Sequence, residues 1–126
     1  MKLVLDTSIF NSEKFINWLL LSKEEKYLPA IVYMEYLHHH LKQGNTESMV
    51  DAFLDQMNIT VVPFGKNEAI KAAKENYENS ENQNSREYEI ASTALILKAK
   101  LVTNNLKAFK WLENAVKPDD ILKNDE

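Results

Sequence analysis

Short apolar runs alternate along the chain with longer stretches in which apolar residues recur at helical spacing. This alternation restricts the fold more than any other feature of the sequence. The short runs predict strands at residues 3–5, 27–28, 59–62, 100–103 and 115–117. Parallel strands need long crossover connections, usually helices. The pattern therefore predicts a parallel sheet covered by helices on both faces.

Apolar residues at helical spacing predict helices at residues 10–20, 29–42, 46–57, 67–77 and 87–98, with a short helix near 109–112. Ser12 or Asn11 can cap the first helix. The second is expected to bury Ile31, Met34, Leu37 and Leu41.

The remaining segments are predicted to be connectors. Residues 23–26 form a charged connector, and the polar residues 78–86 have no periodicity and predict an exposed loop. The last few residues are expected to be frayed.

Composition excludes several classes of protein. The 126 residues suit one domain, 1–126, and no apolar run approaches the roughly 18 residues that a membrane span needs. With two glycines and no cysteine, the chain has no glycine-rich phosphate loop, disulfide or cysteine-based zinc site. No signal-peptide pattern opens the chain, so we expect a cytoplasmic protein. The net charge of −4 argues against non-specific adhesion to nucleic acid.

Oxygen-bearing side chains stand where a parallel sheet places ligands. Asp6 follows the first strand, Glu35 lies in the second helix, Glu87 begins the helix before the fourth strand, and Asn105 follows that strand. Sites in such sheets lie beyond the carboxyl ends of the strands, so these four side chains can converge. Carboxylates are the ligands that Mg²⁺ and Mn²⁺ prefer, and such ions promote phosphodiester hydrolysis.

The chain resembles the PIN-domain nucleases, and in particular the toxins of VapBC toxin–antitoxin pairs. Four stretches, which together span nearly the whole chain, carry the resemblance: LVLDTS at residues 3–8, AIVYMEYL at 30–37, EYEIASTAL at 87–95, and LVTNN at 101–105 with Phe109.

The resemblance implies a three-layer α/β/α sandwich around a four- to five-stranded parallel sheet, and metal-dependent cleavage of RNA. By the same match, Asp6, Glu35 and Glu87 would hold Mg²⁺ or Mn²⁺, and Asn105 would position the ion or its water. Thr7, Ser8 and Thr103 would support the site, with Thr7 or Ser8 bonding to Asp6. A homodimer and an antitoxin over the acidic cleft are further expectations.

The sequence departs from the family pattern at three places. Glu87 stands where the family usually has aspartate, Ala99 where it often has glycine, and Ala108 where it has an acidic residue. An extra methylene moves a carboxylate by more than about 1 Å, which can disturb a metal site. The alternative function is therefore a PIN-like interaction module with weak or lost catalysis.

Each candidate residue also has a structural interpretation. Asp6 can brace the turn after its strand, Glu35 can face solvent, and Asn105 can simply end a strand. Asn84 and Glu87 together match a capping box. The histidines at 38–40 are predicted to form a solvated face, because neighbouring helical residues point about 100° apart.

Overall fold

The computed structural model describes residues 1–79 and 85–124 of the chain. Five strands form one parallel sheet in the order β3-β2-β1-β4-β5. The strands are β1 Lys2–Leu5, β2 Glu25–Pro29, β3 Ile59–Val62, β4 Lys100–Val102 and β5 Ala115–Val116. Helices flank the sheet, so the predicted α/β architecture is confirmed.

The described residues contain six α-helices and two 3₁₀ segments. The helices are α1 Glu13–Leu21, α2 Ala30–Lys42, α3 Glu47–Gln56, α4 Lys66–Glu78, α5 Ser85–Leu97 and α6 Pro118–Asn124. The 3₁₀ segments are Thr7–Asn11 and Leu106–Phe109. Helix α1 packs against α6, while α2 packs against α3 and α5, and α5 packs against α4.

Strand β1 lies at the centre of the sheet, between β2 and β4. Leu3, Val4 and Leu5 are fully buried, as expected for a parallel strand with both faces covered. The chain builds the sheet outward through β2 and β3 on one side of β1, and then through β4 and β5 on the other. The strand order therefore reverses between β1 and β4, and the carboxyl edge of these two strands is where a ligand crevice is expected.

The buried face of α2 differs from the prediction. Val32 and Tyr36 are buried, whereas Met34 and Leu41 are 60% and 51% exposed. The Tyr36 ring stacks on Phe10 of the first 3₁₀ segment, with ring centroids 4.2 Å apart. This contact fixes the rotation of α2, because nearly every side of the helix carries an apolar residue and periodicity alone cannot choose among them.

The sequence predicted a charged connector over residues 23–26, and its C-terminal bound is wrong. Strand β2 already begins at Glu25, and Lys26 is only 1% exposed. The Lys26 ammonium donates to the carbonyl oxygens of Leu19 at 2.6 Å, Ser22 at 2.7 Å and Met57 at 2.9 Å. These carbonyls belong to the C-terminal ends of α1 and α3, which leave acceptors unpaired and carry partial negative charge.

Two other segments are more ordered than predicted. Helix α4 continues to Glu78 and α5 begins at Ser85, so the predicted loop over 78–86 is too long at both ends. Its centre, including the proposed cap Asn84, lies outside the described residues. The C-terminal part expected to fray contains α6, which buries Ile121, and positions 125–126 are not described. No described helix is long and apolar enough to cross a bilayer.

Candidate functional site

Asp6 stands at the carboxyl end of β1, at the reversal of strand order. Its backbone N–H donates to Val102 O of β4 at 3.0 Å, which continues the ladder by one residue. Its Oδ2 accepts hydrogen bonds from Thr103 Oγ1 at 2.8 Å and Ser8 Oγ at 3.1 Å. The side chain is 5% exposed. Both hydroxyls hold one oxygen of the carboxylate and leave Oδ1 facing the crevice for another partner.

Glu35 reaches the same place from α2. Its Oε1 accepts a hydrogen bond from Thr7 Oγ1 at 2.7 Å, so Thr7 contacts Glu35, while Ser8 contacts Asp6. The hydrogen bond from Arg86 is the main reason that the pKa of Glu35 lies below its usual value, with burial opposing and Thr7 adding to the effect. Glu35 is therefore held in its ionised form.

Arg86 joins these two carboxylates, although the sequence predicted it to lie in an exposed loop. Its Nη2 is 3.0 Å from Asp6 Oδ1 and 2.7 Å from Glu35 Oε1, and its Nε donates to Glu35 Oε2 at 2.7 Å. Glu35 chiefly raises the pKa of Arg86 above its already high value. One signal was available in the sequence, since Arg86 is the only arginine of the chain and directly precedes Glu87.

Glu87 approaches the cluster from the first turn of α5. Its side chain is 10% exposed, and Oε1 lies 3.7 Å from Arg86 Nη1. Its Oε2 is buried and has no hydrogen-bond partner among the residues that the structure describes. A buried carboxylate oxygen without a partner is costly, which makes this atom a place where a further donor or a cation would be stabilising.

Asn105 lies at the rim of the site and is exposed. Its backbone N–H donates to Thr103 Oγ1 at 3.0 Å. The neighbouring Asn104, which the sequence did not single out, braces the loop by donating from its N–H to Ser8 Oγ and from Nδ2 to Ser8 O, both at 3.0 Å. Asn104, and not Asn105, thus makes these contacts with Ser8. Asn105 lines a cavity together with Asp6 and Arg86.

This cavity has a volume of about 710 Å³. The rings that line it form an aromatic wall, made of Phe10, Tyr36, Phe53, His39 and His40. The predicted solvated face holds for His38 and His39, but His40 is half-buried and its Nδ1 lies 2.9 Å from Asn45 Nδ2. Burial lowers the pKa of His40, and His39 adds to this effect.

The donor set fits a hard divalent cation. All candidate ligands are carboxylate oxygens, Glu87 has an orphaned buried oxygen, and Arg86 shows that the carboxylates already accept positive charge between them. Within residues 1–79 and 85–124, no three acidic or histidine side chains stand in an arrangement ready to hold a metal ion. The carboxylates surround the guanidinium instead.

Comparisons with known proteins agree on the fold. A toxin–antitoxin complex from Klebsiella pneumoniae contains a similar chain, with a TM-score of 0.74 at 18% identity, covering 91% of this chain and 96% of that one. A DNA-bound VapBC from Salmonella typhimurium matches with a TM-score of 0.69 at 20% identity, covering 93% and 96%.

PAE2754 from Pyrobaculum aerophilum matches with a TM-score of 0.69 at 12% identity, covering 98% of this chain and 88% of that one. No curated protein matches the sequence. A family model for the PIN domain matches residues 3–113. This range includes Asp6, Glu35 and Glu87, which together with Arg86 form the acidic cluster. On this match and on the shared fold, the chain belongs to the PIN-domain family.

Proposed function

We propose that the protein is a metal-dependent endoribonuclease that uses Mg²⁺ or Mn²⁺. PIN domains are generally nucleases, and these nucleases generally use divalent metal ions. The observation that carries the proposal is the gathering of Asp6, Glu35 and Glu87 around a single cationic group at the reversal of strand order. Nothing in an ordinary protein core requires three carboxylates at one point, because each costs solvation free energy on burial.

In this proposal Asp6, Glu35 and Glu87 hold the ion. The chemistry that a bound divalent ion supplies is neutralisation of phosphate charge and a lower pKa for water near the scissile bond. Thr103 and Ser8 orient the Asp6 carboxylate, and Thr7 orients Glu35. Asn105, which lines the cavity, would orient water or substrate with its amide. The aromatic wall of the cavity offers surfaces on which bases can stack.

We further propose that the chain is a VapC-like toxin of the cytoplasm, forming one domain over 1–126, a homodimer and a complex with an antitoxin. The similarity to chains of toxin–antitoxin complexes supports this biological setting. An antitoxin that covers the cavity would block access of RNA to the carboxylates.

The catalytic proposal is tested by removing one ligand charge at a time. We expect Asp6→Asn and Glu35→Gln each to lower Mn²⁺-dependent cleavage of a structured RNA by about a hundredfold or more, because each removes an ion ligand. Circular dichroism checks that the variants remain folded. Asp55→Asn and Glu78→Gln are matched controls, since both residues are exposed and lie outside the cluster. Undiminished cleavage by either site variant contradicts the proposal.

The alternative function, an interaction module, predicts a different result in calorimetry. We expect Mn²⁺ to bind the wild-type protein and to bind Asp6→Asn much more weakly. Absence of binding to both proteins at millimolar Mn²⁺ would favour the interaction module. The toxin setting is tested separately by purification from native cells, where a small DNA-binding partner is expected to accompany the protein.

A further inference from the structure

Arg86 is not used by the proposed reaction, yet it makes the most extensive polar contacts in the acidic cluster. We infer that Arg86 is a built-in occupant of the cation position, and that its guanidinium and the divalent ion compete for Asp6 and Glu35. This inference rests on the proposed metal site and adds to it a residue that controls metal affinity from within the chain.

The first support is geometric. A single nitrogen, Arg86 Nη2, contacts Asp6 Oδ1 at 3.0 Å and Glu35 Oε1 at 2.7 Å. These two oxygens come from different elements, the end of β1 and the middle of α2, and positive charge between them is what would hold them together. A divalent ion shared by the same two oxygens would have to occupy the space of this nitrogen. The two occupants therefore exclude each other.

The second support is electrostatic. Three carboxylates meet here, and Asp6 and Glu87 are nearly buried, with side chains 5% and 10% exposed. Without a counter-charge, like charges at this spacing and burial repel one another strongly. Arg86 supplies that counter-charge in the metal-free protein. A metal ion would supply it again, so that Arg86 becomes superfluous once metal is bound.

The third support is the state of the ligands. The carboxylates that the structure describes do not form a ready metal-binding set, and Oε2 of Glu87 has no hydrogen-bond partner within residues 1–79 and 85–124. A guanidinium is planar and bonds through a fixed fork, so it satisfies Glu35 with two bonds but reaches Glu87 only at 3.7 Å. A compact ion in place of Nη2 is free of that constraint and allows the three carboxylates to close around it.

The position of Arg86 also allows it to leave. It stands in the first turn of α5, its side chain is 29% exposed, and it lines the cavity beside the carboxylates. Arg86 belongs to α5 and to no strand, so a movement of its side chain leaves the sheet unchanged.

Calorimetry tests the competition directly. The probe is Mn²⁺ alone, titrated into chelator-treated wild type, Arg86→Gln and the charge-matched control Lys74→Gln, whose lysine is exposed on α4. We expect Arg86→Gln to bind Mn²⁺ at least about tenfold more tightly than wild type, the factor that corresponds to one charge-assisted hydrogen bond that no longer has to be broken. Lys74→Gln should bind like wild type.

Nuclear magnetic resonance supplies a second readout, because the chain has one arginine and its Nε–Hε signal is unique. In metal-free protein this signal should be protected from solvent exchange by the bond to Glu35. Saturation with Mg²⁺ should move the signal to the position of a free arginine and speed its exchange. A signal that stays unchanged at saturating Mg²⁺ overturns the inference.

The outcomes separate this inference from the proposed function. Equal Mn²⁺ affinity in wild type and Arg86→Gln refutes the competition but leaves the metal-dependent nuclease intact. Weaker binding in Arg86→Gln also refutes it, since Arg86 would then assist the ion. Absence of binding in both proteins refutes the metal site, and with it both proposals.

Discussion

Lys26 and Arg86 each donate several hydrogen bonds, and the partners of these two cationic side chains differ in kind. Lys26 is 1% exposed and donates to three backbone carbonyls, at Leu19, Ser22 and Met57. Arg86 is 29% exposed and contacts ionised carboxylates. The first cation lies at the ends of two helices, away from the acidic cluster, and the second lies at the centre of that cluster.

We infer from this difference that Lys26 is a structural cation and that Arg86 is an exchangeable one. The carbonyls around Lys26 carry only partial charges, so their arrangement depends on a donor that is covalently fixed in β2. Burial lowers the pKa of Lys26, with Glu24 opposing, and the ammonium donates to the three carbonyls. The carboxylates around Arg86 carry full charges, and any cation of suitable size satisfies them. The proposed binding of a divalent ion concerns the second place.

The largest loss of stability is expected on substitution of Lys26. Lys26→Met should lower the free energy of unfolding by about 3–5 kcal/mol, because three carbonyl acceptors lose their donor inside the protein. Denaturation in urea measures this loss. Mn²⁺ should not restore the stability, since the carbonyls are outside the acidic cluster.

Lys23→Met is the matched control, because Lys23 lies just before β2 and is exposed. Its stability should stay within about 0.5 kcal/mol of wild type. If Lys26→Met is no less stable than this control, the distinction between the two cations fails.

A smaller loss of stability is expected when the hydrogen bond from Thr103 to Asp6 is removed. Thr103→Val removes the hydroxyl that donates to Asp6 Oδ2 at 2.8 Å, and should cost about 1–2 kcal/mol in chelator. Thr60→Val, at an exposed position of β3, is the control for the change of side chain. Equal stability of the two variants would show that Thr103 does not hold the carboxylate.

The smallest expected effect is the pH dependence of the stability that the Glu35–Arg86 pair contributes. The pKa of Glu35 is lowered in the folded protein, chiefly by Arg86, so the pair contributes stability above the unfolded value of about 4.5 and loses it as the pH falls through the lower folded pKa. The difference in Tm between metal-free wild type and Arg86→Gln should therefore be constant from pH 7 to about 5 and shrink toward pH 3. Thermal melts in chelator measure it, and an unchanged difference at pH 3 contradicts this assignment.

Local signals in the sequence predicted much of the fold. Strand β3 has the predicted bounds, and Ser12 caps α1 by accepting from Phe15 N at 3.3 Å. These features depend on residues close together in the chain. The prediction of the buried face of α2 was wrong, because that face depends on the stacking of Tyr36 on Phe10, a contact between different elements.

The site also contains residues that the sequence predicted and residues that it did not. The parallel-sheet rule places Asp6 and Thr103 together, since each follows a neighbouring strand. Arg86 could not be found by such a rule, because its partners Asp6 and Glu35 lie 80 and 51 positions away. Lys26 was hidden among exposed charged neighbours in the same way, and only the packing of α1 and α3 shows that it points inward.

The three bonds of Lys26 also determine which parts of the molecule open together. One ammonium binds the ends of α1 and α3 and is itself part of β2, next to the central strand that Asp6 follows. Fraying of either helix would release this buried charge, so local opening there is coupled to loss of the adjacent strands. We therefore expect the amide protons at both helix ends to exchange with solvent as one cooperative unit, which hydrogen-exchange measurements can check.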